Sequence, residues 1–348
     1  MARPVSINVA EIANRANVST ASVSRVINNQ SGVSEKLRSK IWAILEDDDR
    51  YSAHISERGV RIAVVMQMDQ PHVNTFMSAI LGGAANYALQ RNVDISTVFV
   101  QPEDKKKLDF LRLLRDRRCD GVILLVSSTL SAEELTKLAE ARMAVMVLNG
   151  RCDHSTIGYL YTDPNEGMTS LLNHLSQLGH KNIAYLSGPQ FCDFDNSRRS
   201  EVFIEHMQKA KNPLADKLLA THIPTRLAQE AGYLQAVEML KRCPETTAMI
   251  ANNDEMAYGA FLACHEAGIR VPEEISIAGF DDYANSQFTV PPLTTVRQHL
   301  NEIGYEAVKA IDEFVCGSLE HLPRRMFKPE LVVRGSTVAA RTSRPTSE

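Results

Sequence analysis

Val18-Ser-Thr-Ala-Ser-Val-Ser-Arg-Val-Ile-Asn28 is the stretch from which the rest of the chain can be read. At helical spacing Val23, Val26 and Ile27 fall on one side, and Thr20, Ala21, Ser22, Arg25 and Asn28 on the other. The first side is apolar and suits a neighbouring helix. The second is small and polar, with a single long cation. Long charged side chains would obstruct entry into a DNA groove, whereas Ser, Thr, Ala and one Arg allow close approach to base edges and phosphates.

The flanking residues complete a small helical unit. Asn8 followed by Glu11 reads as a capping box, with Val9, Ile12 and Ala13 at helical spacing behind it. Asn17-Val-Ser19 forms a turn in which Ser19 is placed to cap the second helix, and Ser34 is placed to cap a third. Val33, Leu37, Ile41, Ile44 and Leu45 give that third helix its apolar stripe. Two short helices joined by a tight turn and closed by a third make a helix-turn-helix head. The charge agrees with a DNA-facing role. Arg3, Arg15, Arg25, Lys36, Arg38 and Lys40 oppose only Glu11 and Glu35 in residues 1–45. That is a local +4 in a chain of net charge −4, so the remainder carries −8. A basic head on an acidic body points phosphate contact at the head alone.

With 348 residues the chain is too long for one core. Its 44% hydrophobic and 23% charged composition is that of a soluble globular protein. No apolar run approaches the ~20 residues that span a bilayer, and the N-terminus has no signal-peptide pattern, so a cytoplasmic location is expected. The six cysteines are scattered, with no Cys-x-x-Cys pair and no histidine at zinc-ligand spacing, and they read as reduced. Neither a metal nor a cofactor is expected. The chain has no Gly-x-Ser-x-Gly, no phosphate loop and no His-Glu-x-x-His, so catalysis is not expected either.

From residue 61 the pattern changes to apolar strands alternating with helices. Ile62-Ala-Val-Val-Met66, Ile95–Val100, Gly121-Val-Ile-Leu-Leu-Val126, Ala144-Val-Met-Val-Leu148, Ile183–Ser187, Ala248–Ala251 and Ile275–Gly279 are the strand candidates. Helical patterns lie between them, including stretches near 165–178, 199–210, 228–241 and 254–267. Continuous apolar strands separated by helices imply doubly wound α/β layers with parallel sheets. Polar residues gather just after the strands, at Asn149-Gly, Ser187-Gly-Pro, Asn252-Asn-Asp and Phe280-Asp-Asp. In open α/β sheets ligands bind outside those carboxyl ends.

Taken together, the chain resembles the lactose-repressor/galactose-repressor family of bacterial transcription regulators. The resemblance runs from residue 5 to about 340. It is carried by the head and, in order, by Asn74-Thr-Phe76, Arg118-Cys-Asp-Gly-Val-Ile123, Leu178-Gly-His-Lys-Asn-Ile-Ala-Tyr-Leu-Ser-Gly-Pro189, Ala251-Asn-Asn-Asp-Glu-Met-Ala257, Ile275-Ser-Ile-Ala-Gly-Phe-Asp281 and Pro291-Pro-Leu-Thr-Thr-Val-Arg-Gln298. It implies an all-α head at 1–50, a linker at 51–60, a two-lobed periplasmic-binding-protein-like α/β body at 61–340 and a polar tail at 341–348. The first lobe would comprise 61–160 and 291–322, the second 161–290 and 323–340.

The resemblance also implies roles. Thr20 and Ala21 occupy positions that choose the operator sequence, with Ser19 and Ser22 beside them. Arg25 is expected to read a guanine through O6 and N7. Ser24, Asn28 and Ser34 would fix phosphate register. A small-molecule effector, most simply a sugar, would lie between the lobes. Its contacts would be Arg199 (or Arg198, if the preceding loop is aligned differently), Asp281, Asn253 and Asn149, with Tyr161 and Phe76 as apolar walls and Gln67 and Gln298 at the mouth. An arginine and a carboxylate with neutral amides and aromatic faces suit a polyol.

The linker departs from that pattern. Tyr51-Ser-Ala-His-Ile-Ser-Glu-Arg-Gly-Val60 leads almost directly into the first strand, with Ala53 where the family has Pro and with Gly59 weakening any helix. The expected protein is therefore a homodimeric repressor binding a near-palindromic double-stranded operator, under allosteric control by a sugar. The alternative is a cytoplasmic sugar-binding or sensing protein with a weakened head.

Overall fold

The computed structural model describes residues 8–27, 32–46, 59–67, 74–101, 109–125, 130–188, 194–225 and 227–341. The linker residues 51–58, Asn28, the side chain of Gln67 and the tail from 342 onward lie outside that description.

The head holds α1 (Val9–Ala16), α2 (Thr20–Ile27) and α3 (Glu35–Glu46). Asn8 caps α1, its side-chain oxygen accepting from the Glu11 N–H at 3.2 Å. The reciprocal arm is side chain to side chain, Asn8 Nδ2 donating to Glu11 Oε2 at 3.4 Å. Asn17 ends α1 in the left-handed region at φ 55°, a conformation asparagine tolerates better than most residues. Ser19 then caps α2 by accepting from the Ser22 N–H at 3.2 Å, and Ser34 caps α3 by accepting from Leu37 at 3.4 Å. Ile12, Ala13, Ala16, Val23, Val26, Ile41 and Leu45 form the core, with Trp42 packed against it. Trp42 thus serves the packing of the head.

The chain divides into two compact units, Met1–Asp69 with Met77–Leu160 and Asn301–Arg325, and Gln70–Phe76 with Tyr161–Leu300 and Met326–Glu348. The sheet of the first runs β10-β5-β4-β3-β1-β2, from β1 (Val60–Gln67), β2 (Val93–Val100), β3 (Gly121–Leu124), β4 (Ala144–Leu148), β5 (Gly158–Thr162) and β10 (Arg324–Phe327). The pairs from β5 to β2 are all parallel. Strands β3 and β4 are buried at every position, which explains their unbroken apolar runs. Helices α5 (Phe110–Asp116) and α6 (Ala132–Glu140) follow β2 and β3, and their Phe110, Leu114 and Leu138 join the core of one sheet face. Helices α4 (Thr75–Gln90) and α12 (Leu300–Val315) approach each other backbone to backbone: a Cβ on Gly83 would stand 1.8 Å from the Asn301 carbonyl oxygen.

The second unit is built on a parallel sheet β6-β7-β8, from β6 (Ile183–Leu186), β7 (Ala248–Ala251) and β8 (Ser276–Ala278). A separate antiparallel pair joins β9 (Thr295–Arg297) to β11 (Glu330–Val332). Its main helices are α7 (Pro164–Gln177), α8 (Phe194–Lys209), α10 (Ala228–Arg242) and α11 (Asp254–Glu266), with the single turn α9 (Ala215–Leu218) between α8 and α10. Leu171, Leu175, Phe203, Met239, Ala260 and Ile277 are among its buried residues.

Three boundaries lie apart from where the sequence suggested them. Of the three crossovers that the expected lobe limits imply, the second, at 290/291, falls at Leu300/Asn301. Pairing decides this: Thr294 bridges Ala278, and β9 is bonded to β11, so residues 291–300 complete the second unit. The third lies at Arg325/Met326 within β10, not at 322/323. The helix expected near 199–210 starts at Phe194, which places Asp195 on it one turn before Arg199.

The α10–α11 packing yields a first prediction. A Cβ on Gly259 would stand 1.9 Å from the Gln229 carbonyl oxygen and 2.5 Å from the Tyr233 nitrogen. Both obstacles are backbone, so the helices themselves must separate. Gly259→Ala gains roughly 1 kcal/mol of helix propensity. The overpacking costs more, and a net loss of about 2 kcal/mol in urea unfolding is expected.

Candidate functional site

Two groups of residues carry chemistry, one on the head and one in the second unit. On α2, Val23 and Val26 are fully buried, while Thr20, Ala21 and Arg25 are exposed and Ser22 and Ser24 half-exposed. The predicted split of the helix into an inner and an outer face is the one observed. Ser19 and Ser34, also exposed, are occupied in capping, and Ser19 Oγ lies 2.9 Å from Ser22 Oγ. The N-terminus of α2 thus presents hydroxyls and helix-end N–H groups together, an arrangement suited to phosphate oxygens. Arg25 leads the outer face as its one cation among the described residues. Asn28 lies outside the described residues.

The second group forms around Arg199, which the first turns of α8 carry into the interior at 3% exposure. Its Nη2 donates to Asp195 Oδ2 one helical turn earlier, and its Nη1 to the main-chain oxygen of Asn252 after β7. Asp281 Oδ1 stands 3.9 Å from Nη2, and the Phe280 ring lies under the guanidinium at 3.7 Å. Burial opposes the charge, but Asp195 and Asp281 more than compensate and hold the guanidinium protonated. Burial likewise raises the Asp281 carboxyl to about 6, with Arg199 pulling the other way. Gln298 Nε2 donates to Asp281 Oδ1 at 2.6 Å and aims that carboxylate. Asp281 itself sits at φ 112°, held between β-type bonds from its N–H to the Val296 oxygen at 2.7 Å and from the Gln298 N–H to its own carbonyl. Arg199 Nε and Gln298 Oε1 are buried in this group with no hydrogen-bond partner among the described residues. One is a donor and the other an acceptor, which is what a ligand hydroxyl satisfies.

Behind them lies a second carboxyl. Asp254, fully buried at the start of α11, accepts from the Tyr283 N–H at 2.8 Å and from the hydroxyls of Ser286 and Thr295 at 2.5 Å each. Burial pushes it up to about 8, further raised by Asp281, against the pull of those three donors. Gly279 leaves room for it, since a Cβ there would meet Asp254 Oδ1 at 2.2 Å. Asp254 fastens the 281–288 loop to α11 and so sets where Asp281 sits.

The predicted ligand residues therefore divide. Arg199, Asp281 and Gln298 come together. Arg198 does not join them: it faces Asn165, with Nη2 at 2.7 Å from Oδ1, and pairs with Glu201. Of the two arginines, Arg199 is thus the one that the fold buries beside Asp281. Asn253 caps α11, its Oδ1 accepting from the Met256 N–H at 2.9 Å. Tyr161 is buried and Phe76 half-buried, both in the second unit. Asn149 is buried at φ 55° at the end of β4, and it belongs with Gln67 to the first unit. Sequence reasoning missed Asp195 and Asn252. Asp195 had a signal, since an aspartate four residues before an arginine on one helix is a pairing pattern. Placing the helix start at 199 hid it. Asn252 contributes a main-chain oxygen, and its side chain accepts from Tyr185 at 2.6 Å and donates to Asn196 at 2.9 Å. No feature of residue type announces a carbonyl contact.

Among the described residues no group of three or more His, Cys, Asp or Glu side chains is arranged to hold a metal, and no helix is long and apolar enough to cross a membrane.

Comparison with known proteins agrees with this architecture. Residues 8–49 match the bacterial regulatory proteins of the lacI family, and residues 172–337 match the periplasmic binding protein-like domain. The chain is 30% identical over 346 residues to the HTH-type transcriptional regulator reg1 of Streptomyces lividans, covering 95% of this chain and 97% of that one. In structure it is similar to a LacI family transcriptional regulator from Enterococcus faecium with bound ribose (TM-score 0.69, 24% identity, 80% of this chain and 99% of that chain). It is also similar to a lac repressor dimer bound to operator and an anti-inducer (TM-score 0.66, 24% identity, 96% and 99%).

Proposed function

This chain belongs to the lacI family of bacterial regulatory proteins, and from that premise we propose that it is a homodimeric, cytoplasmic repressor whose operator affinity answers to a sugar held at Arg199, Asp281 and Gln298. The observation that carries the DNA-binding half is the outer face of α2. Thr20, Ala21 and Arg25 stand exposed above a head whose core is fully formed. Supporting the effector half is the buried arginine–carboxylate group, whose Arg199 Nε and Gln298 Oε1 have no partner among the described residues. Two heads are needed for the two half-sites of a near-palindrome, which calls for a dimer with two-fold symmetry. Among the described residues of the head, nothing favours the alternative of a sensing protein with a weakened DNA-binding function.

The test begins with operator selection from a random duplex library by the full chain, followed by titration at several salt concentrations. Sequence-selective, salt-dependent binding supports the reading, and uniform weak binding to all sequences overturns it. Adding neutral sugars one at a time then tests the effector half, since coupling of 1–3 kcal/mol changes operator affinity roughly 5–150-fold. Arg25→Ala supplies the sharpest local prediction. It should weaken the selected operator by about 1–3 kcal/mol and relax preference at one base pair per half-site. An equal loss on every sequence would reassign Arg25 to a phosphate.

A further inference from the structure

We propose that Asp195 sets the charge class of the ligand held at Arg199, so that the site takes neutral polyols and refuses sugar acids and sugar phosphates. The inference rests on the reading that a ligand is held at Arg199 and Asp281. A guanidinium recognises a carboxylate or phosphate by giving it two N–H bonds at once. In this chain two of the five N–H groups of that guanidinium are already committed. Nη2 bonds Asp195, Nη1 bonds the Asn252 carbonyl, and the Phe280 ring covers one face at 3.7 Å. Nε is the one guanidinium nitrogen without any partner among the described residues, while Nη1 and Nη2 each make one of the two hydrogen bonds they can donate.

The charges point the same way. One buried cation stands against two buried carboxyl groups, Asp195 and Asp281, with side-chain exposures of 4% each. An incoming anion would be a third negative group beside one guanidinium in a place with little water to screen it. Like charges juxtaposed there repel strongly. A hydroxyl meets no such penalty. It accepts from Arg199 Nε and donates to Asp281 or to Gln298 Oε1, which also has no hydrogen-bond partner among the described residues. The open positions thus include the Nε donor and neighbouring acceptors, the complement of adjacent sugar hydroxyls. Asp195 is i,i+4 to Arg199 on α8, so helix geometry keeps the pair together. Its effect on selectivity is exerted through the arginine.

The experiment compares the full chain with Asp195→Asn and Asp195→Ser by calorimetric titration at pH 7.5, with folding checked by circular dichroism and operator binding. The probes are inorganic phosphate and three matched pairs: glucose with glucuronate, galactose with galacturonate, and ribose with ribose 5-phosphate. The parent is expected to show no saturable phosphate binding, and to prefer the neutral member of any pair it binds. Both variants should gain phosphate affinity by at least about 10-fold and move the acid-to-neutral ratio the same way. Adding Arg199→Gln to Asp195→Asn should abolish the gain. Arg199-dependent phosphate or sugar-acid binding by the parent overturns the proposal, as does a folded variant that gains nothing. The phosphate arm decides even if no sugar of the panel binds. If neutral sugars bind and Arg199→Gln leaves them unaffected, it is the placement of the effector site that fails.

Discussion

Arg199→Met is expected to lower the unfolding free energy by about 3–5 kcal/mol at pH 7.5, the cost of removing one partner from a buried ion group. Methionine fills much of the same volume and can still pack on Phe280, so lost packing contributes little. The loss comes from Asp195 and Asp281, left buried without their cation. The Asn252 carbonyl also loses its donor. The deficit should depend on pH in a definite direction. Burial raises the Asp281 carboxyl from 3.8 to about 6, so the folded protein holds this proton where the unfolded chain has released it. The stability tied to that proton is fully present below pH 4 and is lost as pH climbs through 6. Arg199 opposes the rise, and without it the carboxyl is pushed higher still. The variant should therefore stand close to the parent near pH 4 and farthest from it above pH 7. Urea unfolding at pH 4.5, 6 and 8 checks this, and a deficit below about 1 kcal/mol at pH 8 would refute it. A triple variant that adds Asp195→Asn and Asp281→Asn should recover most of the stability, because a buried ion group removed whole costs far less than one broken.

Asp254 gives the second large effect and separates hydrogen bonding from charge. Asp254→Ala should cost about 3 kcal/mol, since it leaves the Tyr283 N–H and the hydroxyls of Ser286 and Thr295 without their buried acceptor. Asp254→Asn should behave differently. Its oxygen can accept from Ser286 and the Tyr283 N–H while its amide donates to Thr295, the same pattern as a protonated acid. Burial raises the parent carboxyl to about 8, far above its ordinary 3.8. The parent therefore loses stability as pH rises from about 4 through 8, and the asparagine does not. The two should unfold within about 1 kcal/mol of each other at pH 5, with the asparagine variant ahead at pH 9. Parallel pH profiles would show that the carboxyl stays ionised in its cage of donors. Operator response to sugar adds a readout, because the 281–288 loop carries Asp281 and Asp254 anchors it.

The head was legible nearly residue by residue. Asn8, Ser19 and Ser34 cap the helices they were expected to cap, and Val23 and Val26 turn inward as their spacing required. Local rules suffice there, since caps and apolar stripes act within one or two turns. The central strands were equally readable, because burial on both faces writes an unbroken apolar run. The short strands were not. Gly158–Thr162 and Thr295–Arg297 are too brief to carry a pattern, and their pairing partners decide their existence, β4 12 positions away for the first and β11 33 or more away for the second. That is why the second crossover lay ten residues later than expected.

The sequence by itself determined the class of protein: a basic helix-turn-helix head, parallel α/β layers behind it, and polar residues gathered after strand ends. It did so because those signals are local in the chain. Tertiary structure alone decided which arginine turns inward, that Asp195 occupies it, and that Asp254 holds the loop bearing Asp281. Each depends on groups brought together across 29 to 82 positions of chain, or on where a helix begins, and on burial that raises the cost of every unpaired charge.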